Sequence, residues 1–295
     1  MDFCMATATS IGEKLKLRPL HPLFGAEIIG LDLRQPLDDE TFAEVLDAFN
    51  TYSVLLFRGQ DLNDEQHVAF SQRFGELEKT SFAIATQNPY IYRLANVDDE
   101  GNVLPMDAEK RRFLEVNGRW HTDSSFRPVP ALGSILSGKE VPEGEGDTCF
   151  ASMRIAFEAM TEGRAQSLEG MRAVHHYAYS LGLFGEGGVS QEEKDALPPV
   201  EHPIVRTHPP TGKKSLYVSG HIESIVGMPV EEGRLLVKEL INWCTRPEYV
   251  YTHHWQQHDL LMWDNRCVLH RASSVPLRRK RVMHRTTIAG QGPVV

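Results

Sequence analysis

Apolar and polar residues follow two rhythms along this chain, and each predicts a different element. DETFAEVLDAFN (39–50) spaces its apolar residues three and four apart and opens on acidic residues, which a helix N-terminus favours. NDEQHVAFSQRFG (63–75) predicts a second helix, with Asn63 as N-cap and Gly75 as the C′ residue that ends it. Between them, SVLLFRG (53–59) is a short apolar run of the kind a buried strand shows. LKLRPL and HPLFGAEIIGLDL predict two short strands joined by a turn.

Further along, strand-like segments dominate. PYIYRLAN, WHTDSSF, ALGSILSGKEV, HPIVRTH, KSLYVSG, YVYTHHW, DLLMWDN and RVMHRTTIA are short and separated by turn signals. SMRIAFEAM, TEGRAQSLEGM and VEEGRLLVKELINWC keep a helical spacing. Residues 1–14 read as a flexible leader, 97–116 as a polar loop or lid, and 182–199 as a surface excursion rich in Gly, Pro and charge. The pattern predicts a mainly β chain with helical insertions, a sandwich or jelly roll, over one domain spanning 1–295. A dinucleotide-binding α/β fold is a poor fit, since GxGxxG and regular βαβ alternation are both lacking.

Composition narrows the functions. With 41% hydrophobic and 24% charged residues the chain has the balance of a globular protein. A formal net charge of -9 argues against a nucleic-acid partner, whose site would be basic. It leaves room for a basic pocket and a small anionic substrate. No apolar run is long enough for a membrane span. The cysteines at 4, 149, 244 and 267 form no CxxC pair and predict neither a zinc ribbon nor a disulfide framework, as expected of a cytoplasmic protein.

Two constellations carry chemistry. In Trp120-His121-Thr122-Asp123, a strand would turn His121 and Asp123 to the same face. HxD alone is a weak signal, and a surface hydrogen bond is its commoner meaning. A third ligand, best supplied by His270 in WDNRCVLHR, would complete a 2-His-1-carboxylate site with open positions, as non-heme Fe(II) oxygenases use. His253, His254 and His258 form a rival group for zinc or nickel. His253 and His254 are adjacent, however, and a strand turns them to opposite faces. The second constellation is RASSVPLRRKRVMHRTT (271–287). If RVMHRTTIA is a strand, Arg281 and Arg285 share one face with Met283, while Val282, His284 and Thr286 share the other. Two inward guanidinium groups invite carboxylates. Arg278 to Lys280 fit an exposed turn.

The order HTD, GDT, WDNRCVLH, RVMHR resembles the Fe(II)- and 2-oxoglutarate-dependent dioxygenases of the taurine dioxygenase type. The resemblance runs from HPLFGAEI (21–28) to the C-terminus. It implies a double-stranded β-helix with helical insertions. It implies His121, Asp123 and His270 as catalytic iron ligands, and Thr148 and Arg281 as anchors of the far carboxylate of 2-oxoglutarate. Arg285 would face both substrate anion and cosubstrate, and Trp263 would lie by the cosubstrate pocket or serve as a core aromatic. Asn117 and Lys79 fall at substrate-side positions, where a turn role and an exposed lysine are the competing views; His221 in SGHIES reads as structural. Dioxygen is the co-reactant and ascorbate a stimulant.

Within the family, WHTDSSFRP, LPPVEHPIVRTH, GHIESIVGMPVEEGRLL and MWDNRCVLHR are most similar to members that cleave aryloxyacetates such as 2,4-dichlorophenoxyacetate. The products would be a phenol, glyoxylate, succinate and CO2. A taurine-type sulfonate dioxygenase is the alternative. A homo-oligomer is expected.

Overall fold

The computed structural model describes residues 15–79, 88–98, 100–105, 116–183, 190–273 and 279–295. The leader at 1–14 and most of the polar loop (106–115) lie outside the described residues, as does Arg278. The chain is strand-rich with helical insertions.

A seven-stranded sheet organises the molecule, in the order β1 (Lys16–Pro19), β2 (Ala26–Ile29), β3 (Val54–Phe57), β13 (Leu260–Asp264), β5 (Gly133–Glu140), β15 (Val282–Ile288) and β4 (Tyr92–Ala95). All its pairings are antiparallel except β2 with β3. A three-stranded sheet, β12 (Val250–His253), β6 (Thr148–Ser152) and β14 (Val268–Ala272), carries the second half of the site. Two smaller sheets complete the set: β11 (Ile222–Ile225) with β7 (Arg172–His175) and β8 (Val200–Pro203), and β10 (Lys214–Leu216) with β9 (Val205–Thr207).

Period-2 alternation explains how the layers assemble. On β3 and β13, Leu55, Phe57, Leu260 and Met262 pack to one side. There they meet Val45, Ala48 and Phe49 of helix α1 (Asp39–Tyr52), together with Phe70 of helix α2 (Asp64–Gln72) and Phe74 just beyond it. The alternate residues Val54, Leu56, Leu261 and Trp263 face the other way, onto Phe150 of β6 and Val268 of β14. Gly133 lets β5 lie close to β13, since a Cβ there would sit 2.9 Å from the Trp263 carbonyl oxygen. A third core joins α3 (Met153–Glu158), α4 (Glu162–Leu168) and α7 (Val230–Cys244) to the smaller sheets.

Four expectations need correction or refinement. WHTDSSF is not a strand. His121 forms a single bridge to His270, and the chain then turns, with Ser124 at φ 55. The reason is that Thr122 gives its hydroxyl to the Asn265 carbonyl at 2.7 Å, where a ladder would need main-chain pairing. Asn63 does cap α2, as a capping box with Gln66, but Gly75 is not its C′ residue. The helix ends on Arg73 as C-cap, two residues earlier, and Phe74 closes the turn by bonding Ser71. The 182–199 excursion contains α6 (Gln191–Ala196) and follows α5 (Tyr177–Gly182). Within the polar loop, Val97 pairs with Val103 around a turn held by Asp98 and Asn102.

Candidate metal centre

Two reciprocal main-chain hydrogen bonds bring the halves of the site together. His121 N donates to His270 O at 3.0 Å, and His270 N donates to His121 O at 2.8 Å. His270 stands on β14, and His121 lies just outside any strand. The Arg119 carbonyl engages His121 Nδ1 at 2.8 Å, which leaves Nε2 for the centre. His121 Nε2 lies 3.9 Å from Asp123 Oδ1, and His270 Nε2 lies 3.8 Å from Asp123 Oδ2. These spacings are too long for hydrogen bonds and leave room for a cation among three ligand atoms that lie within 4.8 Å of one another. All three residues are buried.

Asp123 is gripped at both oxygens. Ser134 Oγ donates to Oδ2 at 2.7 Å, and Arg285 Nη1 donates to Oδ1 at 3.0 Å. Burial pushes the carboxyl up, and the Arg285 guanidinium beside it is the leading influence that holds Asp123 well below the usual carboxylate range. Burial lowers both His121 and His270, so their rings are neutral and offer a lone pair. Asn265 ties the parts together. Its amide donates to Ser134 Oγ at 3.0 Å, and its carbonyl oxygen accepts from Asp123 N and from Trp263 Nε1.

The predicted strand is present as β15, but it begins at Val282, and a register shift between Val282 and Met283 interrupts the strict alternation, which holds from Met283 onward. Met283 faces the core between the two larger sheets, and Arg285 reaches Asp123. His284 and Thr286 point to the other side, where they meet Asp64, Ser71 and His67 on α2. Arg281 is buried, with Nη2 bonded to the Gly146 carbonyl at 3.2 Å and Nε left without a partner. Among the described residues no carboxylate forms an ion pair with it. Burial lowers it to about 10. Thr148, two residues beyond Gly146, is buried and accepts from Trp255 Nε1 at 3.0 Å.

Trp263 sits in the core with its ring centroid 4.7 Å from that of His270. Asn117 is half-buried ahead of the His121 segment, and Lys79 is exposed. The sequence reading did not single out Ser134, Asn265 or Phe126. Phe126 packs edge-on against His221 at 5.1 Å and lies tilted against Tyr177 at 4.7 Å; His221 in turn meets the His121 ring at 5.8 Å. The result is an aromatic wall beside the triad. Of its members the sequence had singled out only His221, as structural, beside the run HTDSSF.

A second buried group, His208, Asp264 and Cys267, also brings three ligand types together. Here the charges are already paired. His208 Nε2 bonds Asp264 Oδ2 directly at 2.9 Å, and Arg266 clasps the same carboxylate at 2.7 and 2.8 Å. Burial pushes the Cys267 thiol up to about 12, and it donates to Ser53 Oγ. This is a structural ion cluster. The rival histidines also separate as their adjacency implied. His253 is buried against Asp259, while His254 is exposed and pairs with Asp147.

Known proteins match this arrangement along most of the chain. An alpha-ketoglutarate-dependent 2,4-dichlorophenoxyacetate dioxygenase of Cupriavidus pinatubonensis is 40% identical over 275 residues, which cover 91% of this chain and 96% of the relative. An (S)-phenoxypropionate/alpha-ketoglutarate-dioxygenase of Sphingobium herbicidovorans is 34% identical over 280 residues, covering 93% and 94%. The solved structure of AAD-2 in complex with Mn(II) and N-oxalylglycine superposes with a TM-score of 0.88 at 40% identity, covering 95% of this chain and 98% of that one. Residues 16–287 fit the model of the taurine catabolism dioxygenases, and with these relatives at its side the chain belongs to that TauD, TfdA family.

Proposed function

We propose that this protein is an Fe(II)- and 2-oxoglutarate-dependent dioxygenase that hydroxylates an aryloxyacetate such as 2,4-dichlorophenoxyacetate. The observation that carries the reading is the buried triad His121, Asp123 and His270 together with a buried Arg281 whose Nε has no hydrogen-bond partner and which makes no direct ion pair among the described residues, Asp147 acting on it only from a distance. The donor set suits iron: two neutral imidazoles and one ionised carboxylate, with the remaining positions open to a bidentate cosubstrate. The orphaned Nε of Arg281 suits an anion, because an unpaired buried guanidinium is costly. Related enzymes that act on aryloxy acids, at 34 and 40% identity, support this substrate class over a sulfonate.

The residues take these roles. His121, Asp123 and His270 hold the iron. Arg281 and the Thr148 hydroxyl anchor the far carboxylate of 2-oxoglutarate and so fix its orientation. When bound, iron and 2-oxoglutarate activate dioxygen and supply one oxygen atom to a C–H bond of the substrate, with succinate and CO2 as by-products. Arg285 keeps Asp123 ionised, and its buried Nε has no partner of its own, which leaves a donor for the substrate carboxylate. The aromatic wall of Phe126, Tyr177 and His221 flanks the triad and suits an aryl ring. Hydroxylation next to the ether oxygen gives a hemiacetal, which falls apart to a phenol and glyoxylate. The two larger sheets face each other across one apolar core, which supports the jelly-roll reading, and a family match over residues 16–287 supports the reading of 1–295 as a single dioxygenase domain.

The test is succinate release from 2-oxoglutarate with Fe(II), ascorbate and a panel of aryloxyacetates and sulfonates. Phenoxyacetates should give the strongest release, and His121→Ala and Asp123→Ala should abolish it. Undiminished turnover in both variants would remove the triad from the reaction.

A further inference from the structure

We infer that Trp255 is a positioning residue for the cosubstrate: its indole N–H fixes the Thr148 hydroxyl as an acceptor and reserves the hydroxyl proton for the far carboxylate of 2-oxoglutarate. The inference rests on the reading of Thr148 and Arg281 as the cosubstrate anchor.

The direction of the contact follows from chemistry. An indole N–H can only donate, so at 3.0 Å from Thr148 Oγ1 it must be the donor. A threonine hydroxyl has one proton and can accept at its lone pairs. With the indole on the accepting side, the proton is turned away from Trp255, and among the described residues Thr148 has no second side-chain partner. Arg281 reaches the same stretch of chain through Gly146, so two donors converge where β6 begins.

Trp255 is held where this requires. His253 on β12 pairs in register with Thr148 on β6, and two residues later the indole folds back over that pair. The His253 ring meets the indole edge-on at 4.6 Å. That ring is itself fixed by Asp259 at 3.0 Å and Tyr251 at 2.9 Å, and Arg58 neutralises Asp259. On another side, a Cβ on Gly138 would stand 3.3 Å from the indole Cε3 and 3.0 Å from Val141 Cγ1, so glycine lets β5 pass close to the ring. Each neighbour limits rotation of the indole and hence of the N–H it presents.

The experiment is calorimetric titration of N-oxalylglycine into the Mn(II)-loaded protein, which reads binding without turnover. Trp255→Phe removes the N–H and keeps a ring in the core; it should bind the analogue about fivefold more weakly, the effect of one hydrogen bond. Thr148→Val should weaken binding by about tenfold. The double variant should be no weaker than Thr148→Val, because Trp255 acts through that hydroxyl. Mn(II) affinity should not change in either single variant. Unchanged analogue affinity in Trp255→Phe, or a double variant in which the two losses multiply, overturns the positioning role. Unchanged affinity in Thr148→Val instead overturns the anchor reading itself. Should Trp255→Phe not fold, Gly138→Ala presses on the indole from its other side and should weaken the analogue alone; unchanged affinity there also overturns the inference.

Discussion

Asp123 shows what single residues contribute here. One oxygen takes a serine hydroxyl and the other a guanidinium, which together fix where the carboxylate points. Ser134→Ala would leave Asp123 Oδ2 and the Asn265 amide each one partner short. Groups that orient a ligand in this way commonly change metal affinity by about 10- to 100-fold. A titration with Mn(II) should show a loss of at least about tenfold; equal affinity would mean that Arg285 alone sets the carboxylate. His121, Asp123, His270, Arg281 and Arg285 were legible in the sequence because ligand-type and cationic residues recur there at same-face spacing and in a motif order. Ser134 and Asn265 were not. Ser134 is one small polar residue in an apolar stretch, Asn265 is overshadowed by the charged Asp264 and Arg266 on either side, and the two meet across 131 positions.

Elements were legible where local forces decide them. The helix VEEGRLLVKELINWC runs from Val230 to Cys244, as its spacing predicts. The α2 start was legible because Asn63 and Gln66 satisfy each other's main-chain N–H groups. Asn63→Ala should therefore lower stability by about 1 kcal/mol in urea unfolding, with activity intact at low denaturant. A change below about 0.3 kcal/mol would mean that packing against β15 holds the helix start without its cap. WHTDSSF failed as a strand because its neighbours offer side chains and one main-chain bridge instead of a ladder. Nothing within the segment encodes that choice.

Across the whole molecule, buried neutral histidines set the response to acid. Burial is the leading cause that lowers His67, His175, His202, His208 and His253, with His67 pushed down to about 3. In the unfolded chain each takes a proton near its ordinary value of about 6.5. Below that pH the unfolded state binds more protons than the folded one, so stability falls as pH falls. Calorimetry between pH 8 and pH 5 should show the unfolding temperature dropping from about pH 6.5 downward. A flat profile to pH 5 would mean that these rings protonate in the folded state. The sequence showed thirteen histidines but not which were buried, because burial depends on how the sheets pack.

The reciprocal pair between His121 and His270 has a consequence for how the chain holds its shape. It joins two points 149 positions apart (270 less 121), closing most of the second half of the protein into a ring. Closing so large a ring carries an entropic penalty that two hydrogen bonds offset only in part. A divalent cation seated on both histidines would act as a clasp on that ring and would bind only after it has closed. At a free concentration of about 100 times its dissociation constant, it should add about 2.7 kcal/mol to stability. Chelator should then lower the unfolding temperature, and excess Mn(II) should restore it. An unfolding temperature indifferent to both would mean that the ring stays shut without its clasp.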